Sequence, residues 1–163
     1  MPSKRIAESV WDYPRPPRLQ ADERRIRIRA GGKLVVDSTR CFRILETSHP
    51  PTWYIPRSDL ILVGPEDKLL PHDGGSFCEF KGRAEYWSLK VGDLLIKNCA
   101  WSYPSPPPAY AMIRDYLSFY PSRVDECMVD EERVTAQEGD FYGGWITSDV
   151  KGPFKGAPGT RHW

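Results

Sequence analysis

The chain has no CxxC pair, no excess of either charge, and no apolar run near the ~20 residues that a membrane span needs. Its four cysteines, Cys41, Cys78, Cys99 and Cys127, are widely spaced. A zinc knuckle needs close-set ligands, so a structural zinc site built from all four is disfavoured. They read instead as reduced, mostly buried thiols. The 23 basic and 22 acidic residues leave a formal net charge of +1. That gives no global pull toward nucleic acid or a membrane surface. The start, Met1-Pro-Ser-Lys-Arg5, carries charge but no apolar stretch behind it. No secretory signal is visible, and a cytoplasmic location is expected. The chain also lacks a Walker loop, a GxGxxG after a strand, a GxSxG elbow and an HExxH helix. Histidine is scarce: His49, His72 and His162 lie far apart, and nothing supports a metal site using all three. Neither a metal nor a cofactor is expected.

What the sequence does have is proline and aromatic rings. The 163 residues include 16 Pro, 13 Gly, six Trp, eight Tyr and six Phe. The length suits one domain, which at this size buries about 70% of its unfolded surface. So many aromatics exclude a disordered chain, and interior proline excludes an all-helical bundle.

Residues 1–22 read as an extended arm, because Trp11-Asp-Tyr-Pro-Arg-Pro-Pro-Arg18 cannot stay helical past Tyr13. Residues 23–136 read as a β-rich core, and 137–163 as a Gly/Pro-rich tail packed on it. In Arg24–Arg29, alternation sets Ile26 and Ile28 against Arg25, Arg27 and Arg29. Gly31-Gly32 then turns into Lys33–Asp37, a hairpin signal. The four arginines read as a solvated strand face. In Arg40–Glu46, Phe42 and Ile44 alternate with Arg43 and Leu45. Short strands are expected at 52–55, 60–63, 77–81, 84–91, 94–103 and 124–129, with a loop over Glu66–Ser76. Tyr110, Ile113, Tyr116 and Leu117 predict one short helix near residues 109–119, ended by Pro121. The fold class is therefore mainly β.

Polar side chains set among aromatics form three clusters. In Glu46-Thr-Ser-His-Pro-Pro-Thr-Trp-Tyr-Ile-Pro56, Glu46 and His49 lie in a proline-stiffened corner. Such a pair suits acid–base work or ligand hydrogen bonding, or simply caps turns. In Phe77-Cys-Glu-Phe-Lys81, strand alternation puts Glu79 and Lys81 on one side. They either pair with each other in solvent or face a polar ligand. In Cys99-Ala-Trp-Ser-Tyr-Pro104, Trp101 and Tyr103 share a face. They serve as core aromatics or as a preorganised surface for a ring-bearing or proline-rich ligand.

Read together, these motifs resemble the bacterial, cyanobacterial and fungal domain of unknown function numbered 427. The resemblance rests on Trp11-Asp-Tyr-Pro14, the Glu46–Pro56 run, Cys78-Glu-Phe-Lys-Gly82 with Tyr86-Trp87, and Ala100-Trp-Ser-Tyr-Pro104. Phe119-Tyr-Pro121, Phe141-Tyr-Gly-Gly-Trp145 and Gly152-Pro-Phe-Lys-Gly156 complete it. It implies a β-tent-like arrangement of two antiparallel sheets, joined at one edge and splayed at the other. Other tents often carry zinc between two CxxC knuckles, and this sequence departs from them. A nucleotidyltransferase label sometimes attached to the family calls for a Gly-Ser plus Asp-x-Asp metal site, which is absent. By analogy, Glu46, His49, Tyr54, Cys78, Glu79, Lys81, Tyr86, Trp101 and Tyr103 would line the cleft between the sheets.

Three functions are consistent with this reading. The leading one is a module that binds a small polar or aromatic molecule in that cleft. The second is a hydrolase or group-transfer enzyme using a Glu/His pair with Lys81 in the same cleft. The third is an interaction module in which the Trp11 arm or the tail docks on another chain, as in a homodimer. No nucleic-acid or membrane partner is expected.

Overall fold

Period-two alternation builds the first sheet. Ile26 and Ile28 are fully buried, while Arg25 and Arg29 face solvent and Arg27 is half-buried. Ile26–Ala30 turns through Gly31 and Gly32 into Lys33–Ser38, with Ala30 opposite Lys33. Glu126–Val129 pairs with the other edge of Ile26–Ala30, and Glu132–Arg133 completes a four-stranded antiparallel sheet. Arg24 departs from the expected solvated face. It shares the parity of Ile26, so it turns inward and is buried against Asp22 and Asp149.

The computed structural model describes residues 5–139 and 141–163. Residues 1–4, the charged start of the expected arm, and Asp140 of the expected tail lie outside the described residues.

A second four-stranded sheet is the meander Lys68–Cys78, Gly82–Val91 and Leu94–Ser102, with Ser118–Phe119 on its far edge. The loop expected over Glu66–Ser76 is mostly strand. It lies at the sheet edge, where Pro71 forfeits no interior ladder bond. A register shift between His72 and Gly75 takes up the glycine pair. The strand ends at Cys78, and residues 79–81 form the turn. The strand expected over 77–81 is thus cut short.

Arg18–Asp22, Cys41–Leu45 and Thr52–Tyr54 form a three-stranded antiparallel sheet. Phe42 and Ile44 join one hydrophobic cluster and Leu45 another, as their alternation requires. Two small pairings finish the frame. Glu8–Ser9 runs parallel to Val150–Lys151, and Thr135–Ala136 pairs antiparallel with Trp145–Ile146.

The fold is mainly β, with several antiparallel sheets and very little helix. Among the described residues there are five sheets where two were expected, because the proline-rich corners cut the chain into short strands. The expected strand at 60–63 contributes only a bridge from Leu60 to Val36. The expected helix is a 3-10 segment, Pro108–Ile113, in which Tyr110 already departs from helical geometry (φ −119°, ψ 16°). Tyr110 is held there by its hydroxyl, which donates to the Pro17 carbonyl at 2.6 Å.

The main core joins the two large sheets. Ile26, Ile28, Leu89, Leu117, Phe119 and Trp145 are all fully buried in it. Trp145 stacks on Trp53 with ring centroids 6.0 Å apart, and its indole N–H donates to the Phe119 carbonyl at 3.0 Å. Each such ring removes roughly 150–250 Å² from water, so these few residues dominate the packing. The Trp11 indole donates to the Pro153 carbonyl at 2.8 Å, and its ring meets Trp163 edge-on. Among the described residues, no helix is long and apolar enough to cross a membrane.

Candidate functional site

A second hydrophobic cluster, rich in rings, lies beside the main core. It holds Tyr54, Trp101, Tyr103, Tyr110 and Tyr120, with Phe42, Tyr86 and Tyr116 packed against it. A cavity of about 230 Å³ opens from this cluster. Strand parity explains its walls. Ile44 and Glu46 project from one face of the three-stranded sheet's central strand and its extension. Ser76, Cys78, Ala84, Tyr86 and Trp101 project from one face of the meander, where Ser76 pairs with Ala84 and Tyr86 with Trp101. The Tyr86 hydroxyl donates to Ser76 Oγ at 2.7 Å.

Three ionisable or polar side chains meet inside. Glu46 and His49 come from one tight turn, closed by the His49 amide donating to the Glu46 carbonyl at 3.0 Å. Ser48, within that turn, takes the left-handed conformation (φ 71°). Lys81 enters from the turn after Cys78 and is buried. Its Nζ lies 4.0 Å from Glu46 Oε1 and 5.7 Å from the Tyr103 ring centroid. His49 Nε2 lies 3.8 Å from Glu46 Oε2. Both gaps exceed hydrogen-bond range. Among the described residues, Lys81 Nζ, His49 Nε2 and the Glu46 carboxylate have no hydrogen-bond partner.

The protonation states follow from the surroundings. Burial lowers the His49 pKa to about 4, helped by the positive charges of Lys155, Lys81 and Arg15. The ring is therefore neutral at pH 7. Burial opposes the charge on Lys81, but the groups around it, Tyr54, Cys78, Glu46 and Tyr110, outweigh that, and its pKa is raised. Burial also pushes the Tyr103 hydroxyl well above its ordinary value.

Of the residues expected in the cleft, Glu46, His49, Cys78, Lys81, Tyr86, Trp101 and Tyr103 line this cavity. Tyr54 and Glu79 do not. Tyr54 is fully buried behind the wall, edge-on to Trp101, and its hydroxyl accepts from Thr52 Oγ1 at 3.1 Å. Glu79 sits exposed in the turn, because the strand ends at Cys78 and the alternation that would align it with Lys81 stops there. The carboxylate beside Lys81 is Glu46.

Sequence reasoning missed the wall supplied by the tail. Gln137, Phe141, Tyr142 and Gly143 all line the cavity, and the Tyr142 ring packs edge-on against His49 at 5.0 Å. Gly143 has no side chain for a physical reason: a Cβ there would sit 2.3 Å from Cη2 of Trp101. The Phe141-Tyr-Gly-Gly-Trp145 motif was the available signal. Phe77 and Phe141 also line the cavity and remain 78% and 67% exposed, so they form its rim.

Cys41, Cys99 and Cys127 are buried and unpaired, and Cys78 is a half-buried free thiol. Burial raises the Cys41 thiol to about 12 and the Cys99 thiol to about 11. Among the described residues, no group of three His, Cys, Asp or Glu side chains is placed to hold a metal ion.

No curated protein matches the chain. A family profile described as a domain of unknown function (DUF427) matches residues 18–130, a span holding the three-stranded sheet, the meander and most of the cavity's polar groups. The chain belongs to that family.

Proposed function

We propose that the protein binds a small molecule with a polar head and an aromatic or apolar body in the cavity between the meander and the three-stranded sheet. One observation carries this reading. Lys81, Glu46 and His49 converge inside ring-lined walls, and each keeps hydrogen-bonding capacity that no described residue uses. A few polar groups converging inside apolar walls, and left open to the cavity, are the usual makings of a small-molecule site.

The enzyme reading draws on the same groups with less support. An acid–base catalyst works best with a pKa near the working pH, and burial lowers that of His49 to about 4. The interaction reading needs a free arm or tail. Trp11 is bonded to Pro153, and the tail forms a wall of the cavity.

The test is a thermal-shift screen of small metabolites on wild type, Lys81→Met and Glu79→Ala. Binders should shift wild type and Glu79→Ala alike, and Lys81→Met much less. Equal shifts for Lys81→Met would place the binding elsewhere.

A further inference from the structure

Gln137 is buried, comes from the tail and meets His49 in the cavity wall. Two backbone groups fix its side-chain amide. Oε1 accepts from the Gly144 N–H at 3.2 Å, and Nε2 donates to the Lys155 carbonyl at 2.6 Å. A backbone N–H only donates and a carbonyl only accepts, so the amide cannot be turned over. The remaining Nε2 proton faces His49 Nδ1 at 3.3 Å, and Nδ1 accepts it. An imidazole that accepts at Nδ1 is neutral and carries its own proton on Nε2.

Among the described residues, that proton has no acceptor within hydrogen-bond distance. Glu46 Oε2, the carboxylate oxygen paired with Nε2, is 3.8 Å away. The ring is not free to turn toward another partner, because Gln137 holds Nδ1 and the Tyr142 ring packs edge-on against it at 5.0 Å. The other polar side chains of the wall leave the polarity of a guest open. The hydroxyls of Thr52, Ser76, Tyr86, Tyr103, Tyr120 and Tyr142 and the Cys78 thiol can each donate or accept. The Gln137 amide is spent on Gly144, Lys155 and His49. The groups of fixed polarity are the Glu46 carboxylate, which accepts, the Lys81 ammonium, which donates, and His49, which donates because of Gln137.

On the reading that this cavity binds small molecules, we propose that Gln137 is a positioning residue that holds His49 as a fixed hydrogen-bond donor. The preferred guest is then an aromatic molecule that presents a proton-free acceptor, a carbonyl oxygen or an unprotonated ring nitrogen, to His49 Nε2. A guest that presents a donor there sets N–H against N–H. A guest with no polar atom there leaves the imidazole N–H unpaired, and a buried unpaired donor is costly. The same arrangement excludes His49 as a general base, since Nδ1 is engaged by Gln137 and Nε2 already carries the proton.

Two probes of one shape test this: acetophenone, and α-methylstyrene, in which a CH2 replaces the carbonyl oxygen. Both are titrated into wild type, His49→Leu and Gln137→Glu. Cavity occupancy is read from the Trp101 indole resonance, and the His49 contact from imidazole nitrogen NMR. On wild type both probes should move Trp101, and only acetophenone should move the Nε2–H signal. Acetophenone should bind about three- to tenfold more tightly, the scale of one neutral hydrogen bond. His49→Leu should abolish that preference. A preference that survives it assigns the carbonyl to another donor and overturns the inference. Gln137→Glu has no amide proton to give, so Nδ1 should become protonated, a change that a merely structural Gln137 would not cause. If Nδ1 stays unprotonated there, Gln137 does not set the ring. If Glu46→Gln moves the Nε2–H signal of the free protein as far as acetophenone does, Glu46 already takes that proton and the guest assignment fails. If the two probes bind wild type equally while Trp101 responds, the donor assignment is wrong and the cavity reading stands. If neither probe moves Trp101, both are overturned. The wild-type comparison decides even if a variant fails to fold.

Discussion

Gln137 reaches His49 across 88 positions of sequence, with its Nε2 3.3 Å from the imidazole Nδ1. The contact joins the tail to the turn after Cys41–Leu45, and it fixes which ring nitrogen carries the proton. Gly144 makes it geometrically feasible. A Cβ at that position would sit 2.4 Å from Gln137 Oε1.

His49 should therefore stay neutral and hold one tautomer across the physiological range. Its pKa is lowered to about 4, first by burial and then by Lys155, Lys81 and Arg15. An unfolded histidine takes up its proton near 6.5, before the folded one does. Stability is then fully present above about pH 6.5 and falls as pH drops toward 4, by about 3 kcal/mol in total. Imidazole nitrogen NMR should show Nε2 protonated and no titration between pH 8 and 5. Urea denaturation of His49→Asn should show a shallower loss over the same window. A midpoint near 6.5 in the folded protein would contradict the burial argument.

Gly143→Ala tests how tightly the tail closes the wall. The new methyl would fall 2.3 Å from the Trp101 ring, which Tyr54 and Tyr120 flank. Either the ring or the tail must move. The expected cost is about 1–3 kcal/mol, the range for overpacking. Tryptophan fluorescence should change in the native baseline and not only at the unfolding transition. A variant as stable as wild type, with unchanged emission, would mean the tail wall yields freely.

The residues that line the cavity were legible mainly through the family's motifs, and strand alternation explains afterwards why they meet. Ile44 and Glu46 share a face, as do Ser76 and Cys78, so a period of two brings them together once two sheets face each other. Glu79 was misplaced by the same rule, applied one residue past the strand's end at Cys78. Pro71 and Gly74 read as breakers, yet an edge strand with a register shift accommodates both. Gln137 and Tyr142 could not be found by periodicity. They sit in irregular backbone, and their shared partner His49 lies far upstream. Only the small residues at Gly143 and Gly144 marked a close approach.

Asp22 holds the charge network that anchors the three-stranded sheet. It accepts from the Arg24 amide at 3.1 Å and from Arg24 Nη2 at 2.9 Å, and lies 3.2 Å from Arg43 Nε. Arg43 in turn pairs with Glu8 at 2.8 Å. Burial works against ionised Asp22, but the Arg24 hydrogen bonds outweigh it, and its pKa is lowered. Removing one partner of a buried pair leaves the others uncompensated, at about 3–5 kcal/mol. Asp22→Ala should lose about that much in a denaturant titration at pH 7. Because the folded pKa is depressed, the stabilisation is present above the usual aspartate range and is lost as pH falls below it. The gap between wild type and Asp22→Ala should therefore narrow in acid. A gap that stays constant into strong acid would assign the cost to packing instead.

Lys81 is a buried cation whose charge burial opposes, yet Tyr54, Cys78, Glu46 and Tyr110 outweigh that and hold it protonated. Its Nζ makes no hydrogen bond among the described residues, and its carboxylate neighbour is 4.0 Å away. A methionine matches its unbranched length and fits the ring-lined walls around it. Glu46, whose side chain keeps 24% exposure, can return to water when Lys81 is gone. Lys81→Met should therefore lower stability by no more than about 1 kcal/mol, the usual worth of an ion pair whose partner is part-exposed. The measurement is the denaturant midpoint at an unchanged slope, beside the loss of small-molecule binding. A fall of several kcal/mol would show that Lys81 and Glu46 hold the two sheets together, and that the cavity is organised for the fold rather than for a guest.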